Sequence, residues 1–154
     1  MALEANPKDL DAALQLGYAW ISGGELDQAG TAFAAVIEQA KSAQEPRLEG
    51  WGLNGWGDVL VAQGDGPGAL AAYQAGLTIA EGLAKRDPAN TQWQVDVAVS
   101  CAKLGSLDSL VAMQQRNEYL SRGLELLSAL KQAGRLHPNQ DWTSWFDNAL
   151  RSLK

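Results

Sequence analysis

Apolar residues recur every three or four positions along most of this chain. Leu10, Ala13, Leu14, Gly17 and Ile21 fall on one side of a helix, and after a polar break Ala29, Phe33, Val36, Ile37 and Ala40 do the same. Leu53, Trp56 and Leu60 lead to a second break, followed by Ala69, Tyr73, Gly76, Ala80 and Leu83. Val97, Cys101 and Leu104 lead to a third, followed by Leu110, Met113, Asn117, Leu120, Leu124 and Leu127. These intervals fit the 3.6-residue turn of a helix, whereas a half-buried strand alternates every second residue. Val59-Leu60-Val61 favours a strand locally, but it is short and lies inside a helical pattern. The chain is therefore expected to be all-α.

The three breaks look alike. Gly24-Glu25-Leu26-Asp27, Gly64-Asp65-Gly66-Pro67 and Gly105-Ser106-Leu107-Asp108 each begin with glycine, and the glycines lie 40 and 41 residues apart. A fixed period of this size marks a repeat, in which each helix pair buries its second apolar face only by stacking on a neighbour. Pro46, Pro88 and Pro138 stand between the pairs, where a helix must stop or start. Asn6-Pro7 reads as a cap and a first-turn proline, and Thr91-Gln92-Trp93-Gln94 as a capping box. Three hairpins are predicted, over residues 7–45, 48–87 and 91–133, all within a single domain.

The last stretch has no partner helix after it. Trp142, Trp145, Phe146, Ala149, Leu150 and Leu153 step along one stripe of a helix over about residues 141–153. Repeat arrays end in an atypical unit that covers the last apolar face. This helix is expected to be that cap, burying Trp142, Trp145, Phe146 and Leu150.

The motif Leu16-Gly17, Trp20, Gly24, Ala29, Phe33, repeated as Trp56-Gly57, Leu60, Gly64, Ala69, Tyr73, resembles the tetratricopeptide repeat (TPR). A third copy is degenerate, with Val97-Ala98, Cys101, Gly105 and Leu110, then Gln114 where the aromatic belongs. The period exceeds the usual 34 residues and is similar to that of long-repeat bacterial and kinesin-light-chain-like members. The resemblance covers about residues 6–133 and implies a right-handed α-solenoid of three TPR-like hairpins plus the capping helix. Leu3-Glu4-Ala5-Asn6-Pro7 looks like the end of an earlier repeat, so the chain is expected to be part of a longer, multidomain protein.

In that family, ligands lie in a concave groove lined by the first helix of each hairpin. Carried onto this chain, the groove takes Asp11, Leu14, Tyr18 and Ile21 from the first hairpin and Trp51, Asn54, Asp58 and Val61 from the second. The third contributes Gln92, Val95, Val99 and Lys103. Only Asn54 and Lys103 suit a clamp on a peptide carboxylate. The rest imply an apolar groove with an acidic edge, fitted to an apolar or partly basic segment of another protein. The alternative is a self-associating scaffold that uses the 110–127 stripe as a seam, with Asn117 setting register.

Charge supports a protein partner over nucleic acid. The net charge is −6, and no basic stripe appears. Residues 1–50 carry 8 acids and 3 bases, whereas residues 101–154 carry 5 acids and 7 bases. The start lacks a signal peptide and no apolar run is long enough to span a membrane, so a cytoplasmic, membrane-free protein is expected.

Catalytic chemistry finds no foothold. Gly50-Trp51-Gly52-Leu53-Asn54-Gly55 matches a dinucleotide fingerprint by letters, but that motif needs a strand before it. One histidine, His137, and one cysteine, Cys101, cannot form a common zinc site. Neither a nucleophile–base pair nor a phosphate loop is present. The reading is a non-enzyme with no cofactor and no metal.

Overall fold

The computed structural model describes residues 7–108 and 110–154, with side chains from residue 9 onward. Among them are seven α-helices: α1 Pro7–Ser22, α2 Leu26–Ser42, α3 Pro46–Ala62, α4 Gly66–Arg86, α5 Thr91–Gly105, α6 Met113–Gln132 and α7 Thr143–Ser152. A 3-10 turn, Pro138–Gln140, precedes α7. No strand occurs among the described residues, and Val59-Leu60-Val61 lies in α3. The expected cap at Asn6 and the expected end of an earlier repeat at residues 3–6 lie outside the described residues.

After α1, α2, α3 and α6 the chain turns by one hydrogen-bond pattern. Glu25, Glu45, Asp65 and Arg135 donate their N–H groups to the carbonyls of Trp20, Ala40, Leu60 and Leu130 at 2.8–2.9 Å. Such a turn satisfies orphan carbonyls at a helix end and needs one residue in the left-handed region. Gly24, Gly64 and Gly134 supply it, with φ of 78°, 82° and 68°, and after α2 the position falls to Gln44, φ 55°.

The third expected turn is different. Gly105 is the last residue of α5 and has no positive φ. The chain then runs through residues 106–112 before α6, and Leu107 and Val111 fix that connection by burial. Arg116 Nε reaches back to the Gly105 carbonyl at 2.9 Å. The capping box also shifts by one. Asn90 is the cap, and its Oδ1 accepts from Trp93 N at 3.1 Å. Gln94 turns away, towards the Ala84 and Pro88 carbonyls.

The chain packs as two compact units, residues 1–79 and 80–154, with the division inside α4. In the first, Leu10, Leu14, Ala29, Phe33, Val36, Ala40, Leu48 and Val59 form the core. The ring of Phe33 fills the space where side chains at Gly17 of α1 and Gly55 of α3 would stand. Tyr73 does the same at Gly57.

In the second, Val95, Ala98, Leu120, Leu127, Leu130 and Phe146 form the core. Helix α7 caps α6 with less than the expected stripe. Phe146 is 1% exposed, but Trp142 is 39% and Trp145 45% exposed. The helix begins at Thr143, so Trp142 lies before its first turn. Trp145 sits one residue, about 100° of helix rotation, from Phe146 and touches that ring edge-on at 5.1 Å. Ala149, Leu150 and Leu153 complete the packed face. The 110–127 stripe is likewise not one seam. Leu120 and Leu127 are buried and Leu124 packs on the same core, whereas Leu110, Met113 and Asn117 face solvent.

Candidate functional site

Helices α1 and α3 lie side by side in the N-terminal unit, both packed on α2. The expected groove residues of that unit divide by depth. Leu14 and Asn54 are buried and support the face from beneath instead of lining it. Tyr18, Ile21, Trp51 and Asp58 are half-buried along it, Asp11 is exposed, and Val61 is 47% exposed at its end.

The most organised part is a phenol–carboxylate cluster. Tyr73, reaching from α4, donates its hydroxyl to Asp58 Oδ1 at 2.5 Å. Tyr18 packs edge-to-face on Phe33 at 5.1 Å, and its phenol lies in the field of the same carboxylate. Burial, then Asp58, pushes both phenols well above the usual tyrosine range. Both hydroxyls therefore stay protonated. Two turns earlier on α3, the Arg47 guanidinium stacks over Trp51 at 4.5 Å from the ring centre.

The share expected from the third hairpin lies in the C-terminal unit and is mostly used for packing. Val95 is core and Val99 packs against it. Gln92 donates to Asp96 Oδ1 at 3.3 Å and accepts from Gln140 at 2.9 Å, while Lys103 is half-buried. Asp96 and Ser100, both buried on α5, were not legible as interior residues. Counting back from the helix end, Ser100 occupies the place of Gly17 and Gly57, which the misread turn at Gly105 concealed.

Cys101 is fully buried, and burial pushes its thiol up to about 11, so it stays a neutral packing group. Among the described residues no three His, Cys, Asp or Glu side chains gather as a metal site. No helix there is long and apolar enough to cross a membrane.

Comparison with solved structures decides the architecture. The TPR domain of Arabidopsis FLU matches with a TM-score of 0.55, covering 79% of this chain and 97% of that one at 22% identity. The fold is TPR-like. No protein-family model matches the sequence, and no curated protein matches it.

Proposed function

We propose that this chain is a protein-interaction module whose α1–α3 face holds an extended or helical segment of a partner protein. The observation that carries the reading is the row of half-exposed Tyr18, Ile21, Trp51 and Asp58 along two adjacent first helices. Aromatic side chains with a polar tip favour such surfaces because they offer apolar area and a hydrogen bond together. Val99 and Lys103 of α5 are the corresponding residues of the C-terminal unit. The TPR-like fold supports a binding role over a catalytic one, and a cytoplasmic setting remains part of the proposal.

The test uses peptides selected from a displayed random library on the intact chain. Amide chemical shifts recorded as a selected peptide is added should move at residues 18, 21, 51, 58 and 61. Shifts confined to α7, around the exposed Trp142 and Trp145, would sink the assignment and transfer binding to the terminal helix.

A further inference from the structure

The outer side of α1 is unlike that of an ordinary surface helix. Ala12, Leu16 and Ala19 follow one another at spacings of four and three and face solvent, with Leu16 51% exposed. The core lies on the other side, through Leu10 and Leu14. A surface helix usually turns charged and polar groups outward. Helix α1 instead shows apolar residues on both sides and keeps its acids, Asp9 and Asp11, to its first two turns. Tyr18 and Ile21 pack towards the core, so this outer surface is separate from the face proposed above.

The same chain carries a surface that matches it. Trp142 and Trp145 are 39% and 45% exposed at the start of α7, and Asn148 and Ser152 continue the exposed side of that helix. The sizes are complementary, because the alanines on either side of Leu16 leave room for indole rings, and packed helices set large side chains against small ones. The charges are complementary too. Residues 9–28 hold the acids Asp9, Asp11, Glu25 and Asp27 and no base, whereas residues 131–154 hold the bases Lys131, Arg135, Arg151 and Lys154 and the acids Asp141 and Asp147. Both of those acids are covered from within the chain, Asp141 by Lys131 at 2.8 Å and Asp147 by Arg151 at 3.0 Å. The Arg151 pair is well exposed and therefore weak, so its guanidinium exchanges partners readily. Pairing α1 with α1 of another copy would instead set acids against acids.

We propose that α7 of a second copy of this chain docks on the outer side of α1. The two helices run antiparallel, which sets Trp142 and Trp145 on Leu16 and Ala19 and brings Arg151 and Lys154 to Asp9 and Asp11. Each copy offers one surface of each kind, so the contact is heterologous and leaves an unlike surface open at either end of an assembly. Helix α7 has ten residues, and one such helix pair buries less than the roughly 1,200–2,000 Å² of a stable complex. The association therefore depends on concentration.

Sedimentation of the intact chain tests it. The average mass of the wild type should rise with concentration and fall back as salt is added. Leu16→Glu and Trp145→Glu, both at exposed positions, should each weaken the contact about tenfold or more and sediment as monomers where the wild type associates. Mixed in equal amounts, the two variants should form a one-to-one dimer and nothing larger, because one keeps its α7 and the other its α1. If Trp145→Glu loses helicity, Asn148→Glu on the same exposed side replaces it. A wild type that stays monomeric at every concentration reached, a mixture that stays monomeric, or an association untouched by Leu16→Glu overturns the proposal. None of these results bears on the α1–α3 face.

Discussion

The ring of Phe146 occupies the space that a side chain at Gly123 would need. Helix α7 thus docks on α6 by letting one aromatic meet bare backbone. Gly123→Val should cost about 1–3 kcal/mol through overpacking, and Phe146→Ala about 3–5 kcal/mol through the cavity it leaves. Thermal denaturation should show the larger drop for Phe146→Ala, with each kcal/mol worth roughly 2–4 °C at this chain length. Because the two residues touch, Gly123→Ala combined with Phe146→Leu should cost less than the two losses summed. Strict additivity would show that the contact does not set the docking of α7.

Trp145→Ala should be much milder than Phe146→Ala. The indole is 45% exposed, and its main described contact is the edge of Phe146. An aromatic pair of that geometry is worth about 0.5–1.5 kcal/mol beyond its area. A fall in melting temperature equal to that of Phe146→Ala would contradict this placement.

Acid should loosen the start of α7. Asp141 accepts from Lys131 Nζ at 2.8 Å and from the Thr143 hydroxyl at 2.6 Å, and these bonds, led by Lys131, hold its carboxyl down to about 2. A depressed carboxylate lends stability above its ordinary value of 3.8 and loses it as pH falls towards about 2. The protection of the α7 amides against hydrogen exchange, relative to an unfolded chain at the same pH, should therefore fall over that window. Asp141→Asn should remove this pH dependence, and high salt should shrink it, since Lys131 is largely exposed. An Asp141 carboxyl that titrates at its ordinary value by NMR would refute the mechanism.

Gln44→Gly should stabilise the chain. The left-handed conformation costs a side-chain-bearing residue about 1–2 kcal/mol, against roughly 0.5–1 kcal/mol of extra chain entropy for glycine. A net gain of about 0.5 kcal/mol, or one to two degrees of melting temperature, is expected. The Glu45-to-Ala40 bond that closes this turn should persist. A loss of stability would mean that the Gln44 side chain makes contacts worth more than the strain.

Much of the fold was legible because its signals are local. Gly24 and Gly64 announce left-handed positions, Pro46 opens a helix, and the 3.6-residue period identifies Phe33 and Tyr73 as core. Gly105 misled because a glycine that makes room for a neighbour, here Leu120, looks like one that turns the chain. The groove was half legible for a related reason. Periodicity finds a stripe but not its depth, so Leu14 and Tyr18 look equivalent in sequence although one is core and the other half-exposed. The spacing puts Trp142 and Trp145 on the same stripe as Phe146, yet the helix start and a single step of rotation decide which aromatic is buried.

Phe33 sits on α2 but rests on Gly17 of α1 and Gly55 of α3, so the repeat drawn by the glycine spacing is not the smallest self-sufficient piece of the N-terminal unit. A two-helix fragment ending at residue 45 would leave one flank of that ring open to water. The indivisible block is a triplet of helices straddling the boundary between repeats, and proteolytic trimming that spares α3 should leave it intact, whereas a cut between α2 and α3 should release fragments with no lasting structure of their own.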